Sequence, residues 1–270
     1  AVTRVPPGME LISSIDALVG DVHFPAAAGP ALIGYRAIMV SVSDLAAMGA
    51  EQGFVLVALN LPTDDPAWVR ELTVGMREAA ETLGVGLVGG NIARGPLAIA
   101  VSVHGFAPAG QALLRSGARP GDRIYVTGEL GGAAAALARG GLADCRAADQ
   151  LDPLARRYFR PRARLPEGIA LRGRAHSAID LSDGLLQDLG HILKASRVGA
   201  RLDAAAIPVA EGATLEQALH GGDDYELCFT LAGALPPLGV PVYCIGEIVA
   251  ESGLTINGNP VVTSGYQHFG

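Results

Sequence analysis

The stretch from Ala178 to Leu193, AIDLSDGLLQDLGHIL, joins a short apolar run to a pattern with helical spacing. The apolar run is typical of a strand that ends at Asp180, and Ser182 and Asp183 stand where the helix begins. Ser182 or Asp183 could cap this helix by accepting hydrogen bonds from N–H groups of its first turn. Capping does not account for Asp180, because a carboxylate that ends a strand beside a helix start lies where open α/β sheets bind ligands.

Strands and helices alternate on both sides of this stretch, which predicts an α/β fold of the α+β type with two mixed α/β domains. The Pro- and Gly-rich passage APAGQALLRSGARPGD is typical of a linker, and we place the boundary in it near Gly110. The predicted domains are 1–110 and 111–270. Strands are predicted at 10–19, 53–61, 85–91, 97–106, 123–128, 178–180, 225–231 and 241–249, and helices at 34–48, 66–84, 152–159, 183–196 and after Gly131.

The composition limits the class of protein. Half of the 270 residues are apolar, which is enough for a sizeable core. The formal net charge is -7 and no block of lysines and arginines is present, which argues against a nucleic-acid partner. The basic run Arg156–Pro166 is the local exception, and such a run is more often a solvated connector than a phosphate clamp.

The cysteines and the apolar runs indicate the compartment. Cys145, Cys228 and Cys244 have neither the spacing of a zinc site nor the even number of a disulfide framework, so we expect a reducing, cytoplasmic environment. No apolar run approaches the ~20 residues of a membrane span, so no membrane partner is expected. The chain shows no signal peptide and opens without Met at AVTRVPPG, which leads us to expect a further segment upstream.

Four aspartates stand at or near predicted element boundaries: Asp16, Asp44, Asp180 and Asp183. If they converged, their charges would repel one another unless cations held them together. Hard oxygen ligands are those that Mg²⁺ prefers when it also bridges phosphates. Aspartates at loop ends are more often solvated caps, so this pattern leaves both a metal site and simple caps open.

Three further segments are candidates for ligand contact. Glycines in VGGN (88–91) and TGELGG (127–132) follow strands and could let backbone amides approach a phosphate, although such glycines more often form turns. The segment HGGDDYELCF (220–229) is either a solvated turn or the polar wall of a pocket. His23, beside Phe24, is more often packed or exposed than catalytic, and no local pattern points to a covalent nucleophile.

Seven pieces of the chain together resemble the thiamine-monophosphate kinase family, which belongs to the superfamily of aminoimidazole ribonucleotide synthetase. In chain order they are SSIDALVGDVHF, SVSDLAAMGA, VGGNIARGPLAIAVSVHG, LLRSGARPGDRIYVTG, IDLSDGLLQDLGHIL, GGDDYELCFT and SGYQHF. The resemblance implies two domains of the aminoimidazole ribonucleotide synthetase type. It also implies Mg²⁺-dependent transfer of the γ-phosphoryl group of ATP directly to the phosphate of thiamine monophosphate, giving thiamine diphosphate. Such a transfer needs positioning and charge neutralisation more than a protein nucleophile.

The resemblance further implies the residues of the site. The metal ligands would be Asp16, Asp44, Asp180, Asp183, Ser14 and Asn91. ATP would be contacted by Gly90, Asn91, Arg115 and Ser182. Thiamine monophosphate would be contacted by His23, Asp223, Glu226 and Tyr266, the last offering a ring that could stack on the substrate's heterocycles. By the same resemblance, we expect a homodimer formed through the first domain, with the nucleotide sites near its interface.

The chain departs from the family pattern in several places. The family's Gly-Asp-Asp would precede the first residue of this chain, and VGDVHF moves a carboxylate to Asp21. Ile15 replaces the usual Thr, and Asn91 replaces a metal-binding Asp. Because an asparagine offers a carbonyl oxygen but no charge, we expect weaker Mg²⁺ binding.

These features leave three functions open. The first is an active kinase, which the intact second-domain motifs favour. The second is a non-catalytic homologue that binds nucleotide or thiamine phosphate, which Ile15 and Asn91 favour. The third is a relative that activates another substrate with ATP, such as a hydrogenase-maturation or selenophosphate-forming enzyme, and the pieces GGDDYELCFT and SGYQHF argue against it.

Overall fold

The computed structural model describes residues 2–266, apart from the side chain of Gln52. It confirms the predicted mixed α/β class, with two sheets and seven α-helices in this part of the chain. The QHF end of the piece SGYQHF lies outside the described residues. The first half contains β1 (Met9–Val19), α1 (Pro30–Ala47), β2 (Glu51–Leu61), α2 (Pro66–Leu83), β3 (Gly86–Arg94) and β4 (Ala98–Pro108).

The second half contains seven strands and five α-helices among the described residues. The strands are β5 (Arg123–Thr127), β6 (Ser177–Asp180), β7 (Gly199–Leu202), β8 (Leu227–Leu231), β9 (Val242–Val249), β10 (Gly253–Ile256) and β11 (Asn259–Val261). The helices are α3 (Gly132–Arg139), α4 (Pro153–Phe159), α5 (Leu165–Leu171), α6 (Leu185–Ser196) and α7 (Leu215–His220). The strands form one sheet in the order β11-β10-β7-β9-β5-β8-β6.

The first sheet has the strand order β1-β4-β2-β3. β2 and β3 are parallel and are joined through α2, whereas the other neighbours are antiparallel. Both helices of this half pack on one face, so buried residues alternate with partly exposed ones along β4. The opposite face carries exposed side chains, among them Leu11, Ile15 and Ala58, and no described helix packs on it.

Helix α1 lies between the two halves. It begins at Pro30, earlier than the predicted start at Gly34, because proline suits the first turn of a helix. Fifteen of its eighteen residues are buried. It packs against β1, β4 and α2 on the side of the first sheet and against α4, α5 and β6 of the second half. A helix that is apolar on nearly every side is typical of such a central position.

Two predicted boundaries differ from the structure for conformational reasons. The helix predicted from Asp183 begins at Leu185, because Gly184 adopts a φ of 118° that lies outside the helical range. The strand predicted from Tyr225 begins at Leu227, because Tyr225 has a φ of 52°.

The short elements α5, β7, α7, β10 and β11 were not predicted. No helix within residues 2–266 has both the length and the apolar character needed to cross a membrane.

The basic run Arg156–Pro166 is solvated in part, because Arg156 and Arg162 are exposed, whereas its other arginines form ion pairs. Arg160 pairs with Glu78 of α2 and lies 3.4 Å from the centre of the Tyr35 ring, so it links the two halves. Arg164 pairs with Glu226, and both side chains are largely buried. These two arginines therefore bind protein carboxylates rather than forming an open phosphate clamp.

Helices α1 and α2 contact each other at two glycines, and the stability of the fold should depend on this close contact. A Cβ atom on Gly75 would lie 1.8 Å from the carbonyl oxygen of Ala31, and one on Gly34 would lie 2.1 Å from that of Leu72. Because both obstacles are backbone atoms, we expect Gly75→Ala to lower the free energy of unfolding by about 1–3 kcal/mol. Urea denaturation measures this change. Val74→Ala, at an exposed neighbouring position, serves as the control and should change it by less than about 0.5 kcal/mol.

Candidate functional site

A cleft of about 570 Å³ lies between the two halves. Its walls come from β1 and the loop after it, from the middle of α1, from the loop after β6, from residues 222–225 and from Tyr266. The predicted residues that line it are Asp16, Asp44, Asp180, Asp183, Ser182, His23, Asp223 and Tyr266. The fold thus brings together eight side chains that are spread over most of the chain.

Three carboxylates converge at one end of the cleft: Asp180 is buried, and Asp16 and Asp44 are partly buried. Asp44 of α1 accepts a hydrogen bond from the Ser14 hydroxyl at 2.5 Å, which places Ser14 at the edge of this group. Burial, and then the neighbouring Asp44, raise the pKa of Asp16 to about 6. The same two causes raise the pKa of Asp180 well above its ordinary value. Among residues 2–266, no arginine, lysine or histidine side chain forms an ion pair with Asp16, Asp44 or Asp180.

The loop after β6 is held by a residue that the sequence analysis missed. Asp188 of α6, whose side chain is buried, accepts hydrogen bonds from the backbone N–H groups of Ser182, Asp183 and Gly184 at 3.0, 3.0 and 3.2 Å. Burial raises the pKa of Asp188 to about 7 although these amides lower it. Neither Ser182 nor Asp183 caps the helix. The capping alternative is therefore wrong, and both residues line the cleft instead.

The carboxylates of the segment 220–229 point to different partners. Asp223 forms an ion pair with Arg36 of α1 at 2.6 Å. Asp224 accepts from the backbone N–H of Gly131 at 2.9 Å. Glu226 accepts from the Thr127 hydroxyl at 2.6 Å and pairs with Arg164 at 2.5 Å. Of these three carboxylates only Asp223 lines the cleft, and Gly222 and Tyr225 of the same segment line it as well, so the segment is a pocket wall over residues 222–225.

Two aromatic side chains from opposite halves face each other across the cleft. The rings of His23 and Tyr266 are 6.5 Å apart and inclined by 64°. The backbone N–H of Tyr266 donates to the carbonyl of Asp183 at 3.0 Å, and its carbonyl accepts from the Gln187 side chain. His23 Nδ1 accepts from the backbone N–H of Val19, also at 3.0 Å. The C-terminal segment is thereby attached to the loop after β6.

Four predicted site residues lie outside the cleft in the single chain: Gly90, Asn91, Arg115 and Glu226. Gly90 is in register with Val57, Val101 and Asp16 across the four strands, so three strand spacings, about 14 Å, separate Gly90 from Asp16. Asn91 is exposed on the same edge strand, β3. Arg115 is exposed, and its backbone carbonyl accepts from Ser196. Glu226 is buried in the ion pair described above, and none of the four lines the cleft.

Arg36 is the second functional candidate that the sequence analysis missed. It is the lone cation in an otherwise apolar helical run, and it is only 2% exposed. A buried arginine in such a run requires a carboxylate or carbonyl partner, and this signal could have identified it from the sequence. Tyr158 and Tyr225, which flank its guanidinium, line the cleft with it.

The family models and the solved structures agree with this architecture. Residues 1–107 match the N-terminal domain of AIR synthase related proteins, and residues 119–258 match their C-terminal domain. The class is thus a two-domain protein of the AIR synthase related type. The thiamine-monophosphate kinase of Escherichia coli K12 is 44% identical over an alignment of 294 residues, which covers all of this chain and 90% of that protein. The chain belongs to the thiamine-monophosphate kinase family.

Two solved structures have the same fold over nearly the whole chain. The thiamine-monophosphate kinase of Stenotrophomonas maltophilia K279a has a TM-score of 0.86 at 36% sequence identity. The match covers 95% of this chain and 88% of the chain of that kinase. The structure of AaThiL complexed with AMPPCP and TMP has a TM-score of 0.89 at 30% identity, with coverages of 97% and 88%. This second protein therefore binds an ATP analogue and TMP on the same fold.

The buried ion pair of Glu226 with Arg164 should contribute to the stability of the fold. Glu226→Gln removes the charge that faces the largely buried Arg164, so we expect a loss of about 3–5 kcal/mol in the free energy of unfolding. The matched control is Glu129→Gln, because Glu129 pairs with Arg157 where both side chains are exposed. That change should cost less than about 1 kcal/mol. Urea denaturation of both variants tests this difference, and equal costs would contradict the structural role of Glu226.

Proposed function

We propose that this chain transfers the γ-phosphoryl group of ATP to the phosphate of thiamine monophosphate, with Mg²⁺ and without a covalent enzyme intermediate. The observation that carries the proposal is the cleft, in which converging carboxylates meet an aromatic pair in a chain of this family. Phosphoryl transfer depends mainly on positioning and on neutralising charge. A cleft of carboxylates and aromatic rings, with no activated serine or cysteine proposed, fits that requirement.

The donor set of the cleft fits Mg²⁺. One or two of Asp16, Asp44 and Asp180 would hold it together with water and substrate phosphates, and Asp183 stands on the adjoining loop. The repulsion that raises the pKa of Asp16 and Asp180 favours a bound cation. No three His, Cys, Asp or Glu side chains in residues 2–266 are arranged to hold a metal by themselves. Mg²⁺ is commonly bound by one or two carboxylates with water and substrate phosphates, and there it neutralises phosphate charge.

The remaining walls of the cleft fit the two substrates. Asp223, His23 and Tyr266 would contact thiamine monophosphate, with the ring of Tyr266 stacked on one of its heterocycles. Ser182 would contact ATP from the loop that Asp188 holds in place. Glu226 and Arg115 stay predicted contacts of the substrates, and the buried ion pair of Glu226 favours a supporting role for it.

We also propose a homodimer through the first sheet. β1 and β3 are its two edge strands, and its outer face carries exposed or partly exposed side chains on all four strands in the single chain. Pairing of β1 with β3 of a second copy, repeated by a two-fold axis, would cover both edges. It would also carry Gly90 and Asn91 of a second copy toward Asp16, which they do not reach within one chain.

The cysteines, the net charge and the family indicate the compartment and the partners. Cys145, Cys228 and Cys244 are free thiols, which fits a reducing compartment, and we place the protein in the cytoplasm. The net charge of -7 argues against a nucleic-acid partner. ATP and thiamine monophosphate are the partners that the cleft and the family support.

A non-catalytic, nucleotide-binding homologue is the second candidate function. Asn91 stands where the family carries an aspartate, and Ile15, which lines the cleft, offers no oxygen ligand. Both replacements remove ligands for a cation. This candidate predicts binding of ATP or thiamine monophosphate without turnover.

The proposed kinase activity can be measured directly. The protein incubated with ATP, Mg²⁺ and thiamine monophosphate should yield thiamine diphosphate, measured by fluorescence after oxidation. Asp180→Asn should lower kcat/KM by roughly 10²-fold or more, because a charge that faces the cation is lost. Asp149→Asn, at an exposed carboxylate outside the cleft, should retain full activity. Nucleotide binding without product would instead support the non-catalytic homologue.

The dimer is tested by placing a charge on the outer face of the first sheet. Pairing at both edges would close the two sheets around their outer faces. Ala58 is exposed on this face in the single chain, so Ala58→Glu should leave the fold intact but place two charges inside the dimer. Sedimentation velocity should show a dimer for the natural chain and a monomer for this variant. Ala67→Glu, in the exposed first turn of α2, should stay dimeric. A dimer that persists in Ala58→Glu would move the interface elsewhere.

A further inference from the structure

Arg36 joins three separate segments inside the molecule. It lies in the middle of α1 and is only 2% exposed. Its Nη2 donates to Asp223 Oδ1 at 2.6 Å, and its Nη1 donates to the carbonyl of Tyr158 at 2.7 Å. Its guanidinium lies 4.1 Å from the centre of the Tyr158 ring and 5.7 Å from that of Tyr225. The first half therefore holds the loop of Asp223 through this side chain.

The loop that Arg36 holds is strained. Asp223 and Tyr225 have φ values of 69° and 52°, in the left-handed region that residues other than glycine rarely occupy. Gly222 packs so tightly that a Cβ atom would lie 2.3 Å from the carbonyl oxygen of Ser182. Such a backbone conformation persists only when surrounding contacts enforce it. The contacts at Asp223 are therefore needed to keep its carboxylate where it is.

The hydrogen bonds to Asp223 are unevenly divided between its two oxygens. Oδ1 accepts from Arg36 and also from the Tyr225 hydroxyl at 3.0 Å. Within residues 2–266 no group donates a hydrogen bond to Oδ2. The Asp223 side chain lines the cleft, and 24% of its surface is exposed. The carboxylate is thus anchored through one oxygen, which leaves the other for a ligand in the cleft.

We propose that Arg36 is a positioning residue that fixes Asp223 so that its Oδ2 accepts a hydrogen bond from the amino group of the substrate's heterocycle. This inference rests on the proposed function, since thiamine monophosphate carries an aminopyrimidine and a cationic thiazolium ring. Arg36 engages two acceptors at a fixed angle, which the planar guanidinium allows and a lysine ammonium does not. Without the Arg36 guanidinium, the strained loop would relax and the Asp223 side chain would adopt several orientations.

The experiment compares steady-state kinetics of four variants. Arg36→Met should raise the KM for thiamine monophosphate by tenfold or more and leave the KM for ATP within twofold. Arg36→Lys should recover part of this loss, because an ammonium can satisfy one of the two acceptors. Tyr225→Phe, which removes the second donor to Oδ1, should raise the same KM by a smaller factor.

The matched control separates substrate positioning from simple attachment of the two halves. Arg160→Met breaks another link between them, because Arg160 pairs with Glu78 and stacks on Tyr35 without bonding Asp223. It should lower the melting temperature and leave the KM for thiamine monophosphate unchanged. The same KM rise in Arg160→Met and Arg36→Met would overturn the inference, as would equal rises for both substrates in Arg36→Met.

The outcomes also separate this inference from the proposed function. A natural chain that turns over thiamine monophosphate, with an unchanged KM in Arg36→Met, would overturn the positioning role alone. If Arg36→Met does not fold, Arg36→Lys and Tyr225→Phe decide, and an unchanged KM in both overturns the inference. A natural chain that neither binds nor phosphorylates thiamine monophosphate, measured by calorimetry and product formation, would overturn both proposals.

Discussion

Helix α1 is buried on nearly every side, so the two charged side chains within it must find partners inside the molecule. Arg36 pairs with Asp223, and Asp44 accepts from Ser14 and faces Asp16 and Asp180. Both sets of partners lie in the one cleft between the halves. The contacts that stabilise the two charged residues of α1 inside the molecule are therefore also contacts that position the side chains of the cleft.

The cleft is electrostatically uneven, and this unevenness suits its proposed chemistry. At one end, Asp16 and Asp180 repel Asp44, and a divalent cation, which can also bind phosphates, would relieve that repulsion. At the other end, Arg36 already balances Asp223, which leaves a carboxylate oxygen facing the cleft without excess charge. One end therefore suits a metal-bound phosphate, and the other suits an organic group with a hydrogen-bond donor.

Much of the fold was predictable because its long elements have clear periodicity and ends. Helix α2 begins at Pro66 and is followed by Gly84, as proline and glycine at those positions indicate. Short elements such as β7 and β10 were missed, since four residues are too few for a period to show. The role of Asp188 was missed because this buried residue, one turn inside the helix, bonds the amides of the loop before it rather than capping the helix.

The residue types and their order determined the alternating α/β class, the family and eight side chains of the cleft, because these are carried by local pattern and by recognisable motifs. Only the tertiary structure decided which acidic residues share a site. Asp223 and Glu226 are close in sequence, yet one faces the cleft and the other is bonded to Arg164 in the interior. The register of four strands likewise separates Gly90 from Asp16. Such distances depend on how the two sheets pack around α1, and no local pattern encodes them.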